Sequence, residues 1–413
     1  MKSILTTLIL FATSANLCFG EDWPQWRGPS RDCHIDVAAW PDSLEGDHLS
    51  QSWRVPLGPS YSGPIVFGSR VFTTETQDKS QEIVTAFDRQ TGEQLWKVQW
   101  SGAMQVPFFA AANGSWIRST PACDGKLLYV TGIREVLVAI NVESGEEAWR
   151  FDFPKQLGVE LPKFGAICSP LLDGEFLYIQ AAFTVVKLRK STGEMVWRSS
   201  PEKGGTFGQG MSNSPFSSPI IATLAGQRQI VTQTRTKLMG LNLETGQELW
   251  SQDIPATRGM NILTPLINDN SVFTSSHGGS TLLLGVEKSE ETQSVRQLWK
   301  TRQQAYMSSP VLIGNDIYLH LRNERFMSID IKSGETNWTT TPYGKYWSMV
   351  VNGDRILSLN ERGELRLVAA NPKSYSELSS RRVSEQPTWA HLAVSDNQIF
   401  IRDLNSITVW NWK

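Results

Sequence analysis

The sequence predicts an all-β chain closed into an eight-bladed propeller of four-stranded antiparallel blades. One unit of sequence recurs eight times along the chain. Sixteen tryptophans are present, and six of them, Trp96, Trp149, Trp197, Trp250, Trp299 and Trp338, recur once per unit at its closing end. The last unit stops one strand short, while a strand near the N-terminus has no unit of its own to join.

Taken in order, residues 1–20 have the form of an export signal. Lys2 gives the positive start, Ile4 to Ala12 the apolar stretch, and Cys18-Phe19-Gly20 the small residues of a cleavage site. The apolar run is too short to span a bilayer comfortably. Leu17 is bulkier than a lipoprotein signal wants, so the expectation is a freely exported periplasmic or secreted chain without a lipid anchor. Residues 21–49 form a leader containing Trp23-Pro24-Gln25-Trp26-Arg27-Gly28-Pro29 and Arg31-Asp32, and residues 50–413 are assigned to the propeller.

Six units open on Ser62-Gly63-Pro64, Ser119-Thr120-Pro121, Cys168-Ser169-Pro170, Ser217-Ser218-Pro219, Leu263-Thr264-Pro265 and Ser308-Ser309-Pro310. Two more open on Trp347-Ser348-Met349 and Trp389-Ala390-His391, where the proline is lost. The openings lie about 40 to 57 residues apart, enough for four short strands. Runs such as Lys126 to Val130 and Asp316 to Leu319 are β-branched and aromatic between turn residues, as strands are.

Units close on the pattern A-x-D-x-x-T-G-x-x-x-W, clearest in Ala86, Asp88, Thr91, Gly92 and Trp96. Further copies carry Gly145 with Trp149, Gly193 with Trp197, Gly246 with Trp250 and Gly334 with Trp338; a degraded copy ends at Trp299. Glycine supplies the positive φ of a tight hairpin. The Asp or Asn four residues before that glycine accepts backbone N–H groups of the turn. The Trp then packs a large area against the neighbouring blade. The eighth unit ends at Trp410-Asn411-Trp412-Lys413 with room for three strands, so Ser52-Trp53-Arg54-Val55-Pro56 is expected to complete it. That closure removes an exposed sheet edge.

This repeat resembles the tryptophan-docking repeat of the quinoprotein, or PQQ-like, propellers, a group that includes the quinoprotein dehydrogenases and BamB, the outer-membrane assembly lipoprotein. The resemblance runs from about residue 50 to the C-terminus. The leader is similar to the opening of the exported PQQ-like propellers of planctomycete bacteria. The resemblance implies the fold strongly and the activity weakly, because one ring hosts enzymes and scaffolds alike.

Net charge is −2 and the isoelectric point about 6.3, which excludes a general phosphate-backbone binder of nucleic acid. After cleavage three cysteines remain, Cys33, Cys123 and Cys168. The sequence leaves a Cys123–Cys168 bridge open and favours isolated buried thiols, and no metal site is expected.

The loops leading into each unit and the turns between second and third strands share one face. That face collects aromatic and basic residues: Trp116, Arg118, Lys163, Arg235, Arg258, Asn261, Tyr306, Arg322, Trp347, Trp389 and His391 are the candidate binding residues. Phe109 and Asn213 belong to the same loops. Trp347 and Trp389 have an equal claim to refill packing where the proline is lost. His277 reads as a solvated turn residue and His320 as an interior one.

A dehydrogenase of the resembled family would need a carboxylate base, calcium ligands and a vicinal Cys-Cys pair over its quinone. The chain has no such pair, and few acids in these loops beyond Asp152, Glu160, Glu202 and Asp253. The expectation is therefore a non-enzymatic monomer, with no cofactor and no transmembrane segment. It binds an envelope protein or peptide, or a small ligand in the funnel; the alternatives are a PQQ-dependent dehydrogenase and a sugar- or quinone-binding propeller.

Overall fold

The computed structural model describes residues 21–108, 110, 114–200, 215–289 and 292–413. Residues 1–20, expected to be an export signal, and Phe109, Glu202 and Asn213 lie outside the described residues. Eight antiparallel sheets stand in sequence order around a central channel. In the first blade the strands run outward from the channel as Ile65–Phe67, Arg70–Gln77, Gln81–Asp88 and Gln94–Ser101.

The ring closes as the sequence predicts. Leu49–Pro56 pairs antiparallel with Ser406–Trp412 and becomes the outer strand of the last blade. Trp53 then does for that blade what the later tryptophans do for theirs. Its indole N–H donates to the Arg89 carbonyl at 2.9 Å, in the turn of the first blade. A methyl group at Gly92 would stand 2.7 Å from the Trp53 ring, so only glycine admits the indole.

The same contact recurs around the ring. Trp96 donates to Val142 and faces Gly145; Trp149 donates to Lys190 and faces Gly193. Trp197 and Gly246, then Trp299 and Gly334, repeat it with the Leu243 and Ile331 carbonyls. Asp88 accepts the Gln90 and Thr91 amides at 2.9 and 2.8 Å, fixing the turn that presents this carbonyl. Three boundaries depart from the pattern, and at one of them the outer strand of the seventh blade, Ser376–Arg382, carries no tryptophan at all. The fifth blade replaces its glycine turn with a long hairpin, Thr281–Ser289 with Thr292–Thr301, and Trp250 donates to Gln229 Oε1 of its own blade instead. Trp338 meets a turn without glycine and donates to the Asn371 carbonyl.

The Ser/Thr-Pro openings form an inner ring of hydrogen bonds. Thr120 Oγ1 accepts the Gly63 amide, Ser169 Oγ the Thr120 amide, and Ser218 Oγ the Ser169 amide, each reaching back one blade. The residues before them point sideways: Ser119 and Ser217 hydroxyls donate to the Cys168 and Leu263 carbonyls of the next blade. Proline next in sequence brings no N–H to an edge that faces the channel, so it adds no donor there to go unpaired.

The leader is part of this inner architecture. His34–Ile35 adds a fifth, parallel strand to the inner edge of the seventh blade. Trp23 exchanges both backbone bonds with Val66, and the Pro24 carbonyl accepts the Cys123 amide. Arg27 donates to the Pro310 carbonyl and Arg31 to the Pro170 carbonyl, at 2.6 and 2.7 Å. Arg27, Arg31 and Cys33 all hold φ between 60° and 73°, a conformation that side chains take only when contacts impose it. The leader therefore plugs the channel mouth on the side of the Thr-Gly turns. Cys33, Cys123 and Cys168 are all buried free thiols.

Deleting residues 49–56 removes both the last outer strand and the Trp53 contact to the first blade. The expected result is loss of a single cooperative melt by circular dichroism, with a lower midpoint; an unchanged cooperative melt counts against closure by this strand.

Candidate functional site

Strand periodicity at the eight openings decides what faces the channel. Alternate residues of an extended chain point the same way. The residues three and one before each proline, or its equivalent, therefore face inward while the one between faces a neighbouring blade. The inward set includes Tyr61, Arg118, Phe216, Met307, Tyr346 and Trp389 above Ser169, Ser218, Thr264, Ser309, Ser348 and His391. They line a cavity of about 500 Å³ that opens on the loop-bearing face.

The cavity wall carries an arc of aromatic rings interleaved with arginines. Tyr61 stacks on Trp389 at 5.0 Å and 17°, and Trp116 meets Tyr61 edge-on at 5.1 Å. The chain of rings continues from Trp389 to Tyr346, Tyr306 and His277, at 4.6, 6.0 and 4.9 Å. Across the ring, the Arg235 guanidinium lies 4.4 Å over the Phe216 face and donates to the Arg258 carbonyl. Arg118 donates to the Gly114 carbonyl at 2.7 Å, and its Nε is buried without a hydrogen-bond partner among the described residues. Arg118, Arg235 and Arg258 all line the cavity, and no Asp or Glu does among the described residues.

Its floor comes from the leader. Trp26 donates to Thr264 Oγ1 at 3.1 Å and packs edge-on against His391 at 5.0 Å. Beneath them Arg27 Nε donates to Cys33 Sγ at 3.0 Å, with His391 Nε2 3.7 Å from that sulfur. Burial pushes His391 down to about 4, so the ring is neutral at pH 7. The His277 pKa is likewise lowered, by burial and then by the Arg322 charge. The cavity's positive charge is thus carried by arginine. Burial also raises the Cys33 thiol, which keeps it protonated and unreactive.

The sequence candidates divide accordingly. Arg118, Arg235, Arg258, Tyr306, Trp389 and His391 line the cavity, and Trp116 braces Tyr61. Trp347 touches the cavity wall but is only 2% exposed, and it packs on His320 and Phe326 at 5.1 and 4.9 Å, refilling the space where the proline is missing. Asn261 is fully buried and donates to the Arg235 and Ile254 carbonyls, holding the loop rather than facing the cavity. Lys163 is exposed on the same loops but does not line the cavity, and Arg322 borders a smaller polar recess beside Tyr306. His277 is not a solvated turn residue: it joins the aromatic arc. His320 is interior, bonded to the Gly344 carbonyl at 2.9 Å. Tyr61, Phe216 and Met307 were legible through their place three residues before a proline. Trp26 was not, since no repeat marks the leader.

Two buried carboxylates staple the cavity-side turns of the first three blades. Glu82 of the first accepts the Ile133 amide and the Trp100 indole N–H, at 2.6 and 2.9 Å. Glu135 of the second accepts the Ala182 amide at 3.0 Å, leaving Oε1 buried without a hydrogen-bond partner among the described residues. Burial raises Glu82 to about 7 and Glu135 to about 8.

Comparison with known proteins places this geometry in context. The family described as outer membrane protein assembly factor BamB matches residues 79–340. The BamB of Yersinia pestis is 22% identical over 303 residues, covering 71% of this chain and 67% of that one. Among solved structures, BamB from Moraxella catarrhalis superposes with a TM-score of 0.62 at 14% identity, covering 88% of this chain and 98% of the other. The quinohemoprotein alcohol dehydrogenase ADHIIG from Pseudomonas putida HK5 gives 0.64 at 12% identity, covering 95% and 80%. At such identities the superpositions speak to the fold alone.

The Glu135 proton has a thermodynamic consequence. Folded, the carboxyl keeps its proton to about pH 8; unfolded, it releases it near its ordinary value of 4.5. The folded state binds more protons between those values, so its stability falls as pH rises from about 4.5 to 8. Glu135→Gln is expected to flatten this decline, melting above the unsubstituted protein at pH 8.5 and close to it at pH 4.5. An identical pH dependence in both proteins, measured by calorimetry, would show that the carboxyl is already ionised in the fold.

Proposed function

The chain belongs to the family of the outer membrane protein assembly factor BamB, and from that premise we propose an exported, non-catalytic scaffold that holds an envelope protein on its loop-bearing face. The observation that carries this reading is the lining of the funnel. Aromatic rings and arginines, with no carboxylate among the described residues, make a recognition surface. Large rigid rings bury area at little entropic cost, and guanidinium groups orient acidic partners.

The chemistry of the site supports binding over catalysis. Its histidines are held neutral, and its one nearby thiol is buried and protonated. A general base needs a partner proton and a nucleophile within reach. The buried carboxylates Glu82 and Glu135 are occupied with backbone amides in the blade staples. A calcium-held quinone does not fit this lining. Such a site needs oxygen donors around the metal, and neither a lining carboxylate nor a cluster of three His, Cys, Asp or Glu side chains is found among the described residues. No helix among the described residues is long and apolar enough to cross a membrane, and export rests on the N-terminal signal.

Two measurements test the reading. A photo-crosslinker at Arg258 on the funnel face is expected to capture an envelope protein that one at Thr91, on the opposite face, does not. Equal capture from both faces would sink the assignment. Incubation with pyrroloquinoline quinone and calcium, followed by desalting, is expected to leave no quinone absorbance with the protein; a retained chromophore that an alcohol reduces would overturn the non-catalytic reading.

A further inference from the structure

We propose that the closed end of the funnel is a site for an uncharged sugar ring, a pyranose with equatorial hydroxyls. It lies deeper than the loop-bearing surface of the scaffold reading and does not depend on that reading. The floor of the cavity supplies the first reason. Trp26 reaches from Thr264 of the fifth blade to His391 of the eighth, so its indole lies across the channel. Its N–H is taken up by Thr264, and the indole stays partly exposed where it lines the cavity. What it offers a ligand is therefore apolar ring surface. A pyranose with equatorial hydroxyls has the matching shape, with C–H groups on its faces and its hydroxyls pointing outward round the rim.

Around that plate stands a tier of hydroxyls. Ser169, Ser218, Thr264, Ser309 and Ser348 hold the equivalent position at the openings of five consecutive blades, and all five line the cavity. Thr264 bonds the indole itself, which sets the tier at the level of the floor. Each oxygen already accepts one N–H. Ser169 takes the Thr120 amide, Ser218 the Ser169 amide and Ser309 the Thr264 amide, while Ser348 takes the Leu392 amide at 3.5 Å. A hydroxyl also has one proton to donate. Among the described residues, none of the five gives that proton to a protein acceptor. Five such donors round one small space suit a ligand with oxygen acceptors along its edge.

The floor also carries no formal charge. His391 completes the tier from the eighth blade, and burial holds its ring neutral at pH 7. Arg27 lies beneath, buried, and its guanidinium is turned to Cys33 and the Pro310 carbonyl. Arg118 and Arg235 in the wall are tied to the Gly114 and Arg258 carbonyls. Recognition at this depth therefore rests on neutral hydrogen bonds and ring contact. The volume of about 500 Å³ admits a sugar of one or two rings, not a folded element. Because the leader closes the channel, a longer glycan presents only its terminal ring, so a free sugar and a chain end are served alike.

Titration calorimetry with the full chain tests this, using methyl β-glucopyranoside, cellobiose, cellohexaose, glucuronate and a blocked neutral dipeptide. The glucoside and cellobiose are expected to bind, and glucuronate and the dipeptide to bind more weakly. Cellohexaose, entering only by its end, should bind no better than cellobiose; affinity that keeps rising with chain length would place the sugar along an open groove and overturn the closed site. Ser348→Ala gives up only the long bond from Leu392, so the melting midpoint should hold. Its affinity for the glucoside should fall about fivefold, as the loss of one neutral hydrogen bond implies, and Ser348→Thr should restore it. Trp26→Leu should weaken the glucoside further, while Trp26→Phe, which keeps a flat ring, should retain part of the binding. No heat from either glucoside at millimolar concentration, tighter binding of glucuronate or the dipeptide, or unchanged affinity in Ser348→Ala and Trp26→Leu overturns the site. The scaffold reading falls separately, by loss of face-specific crosslinking while sugar binding persists.

Discussion

At six of the eight blade boundaries a tryptophan reaches across and donates to a carbonyl of the neighbouring blade, and the ring is built on that contact. At five of them the indole lies flat on a glycine at positive φ, and its N–H meets a carbonyl presented by the neighbouring turn, braced in the first blade by Asp88. The contact joins large apolar burial to a directional bond, so it fixes both the distance and the angle between neighbouring sheets. Repeated around the chain, that angle closes a ring. Where the fifth blade lacks the turn, Trp250 still packs at the boundary, but its N–H turns back to Gln229 in its own sheet. Packing tolerates the substitution because the hydrogen bond finds another acceptor.

The inner rim solves a different problem. First strands stand at the channel with one edge unpaired, and backbone groups left unpaired there would be costly. Proline removes donors, serine and threonine hydroxyls take up amides from the blade before, and the leader's arginines occupy the carbonyls of Pro170 and Pro310. One consequence is a channel sealed at one end. Another is that the side chains at the opposite rim face a closed space rather than a through-channel. Those are the arginines and rings of the funnel, and their chemistry is where this chain differs from a bare ring.

Fold and site were not equally legible. The eight openings, the turn glycines and the closing strand all stand in the sequence because each must be of one residue type wherever it occurs. Arg118, Arg235, Arg258, Tyr306, Trp389 and His391 were found by tracking which loops share a face. Asn261 and Trp347 satisfy the same loop criterion and yet are buried, one bonding its loop and the other filling space beside Phe326. Loop position alone does not say whether a side chain turns toward the cavity or into the protein. The two-residue period of the strands does, and it brings in Tyr61 and Phe216.

By itself, the sequence determined the propeller, its blade count, its closure by residues near the N-terminus and the poverty of acids on one face. These are local or repeated properties, written at fixed spacing by turns and strands. Only the tertiary structure decided that the leader crosses the channel, that Trp26 and His391 meet as a floor, and that Arg235 stands across the ring from the stacked Tyr61 and Trp389. Those contacts join residues hundreds of positions apart. They follow from where a closed ring puts its blades, which no local pattern encodes.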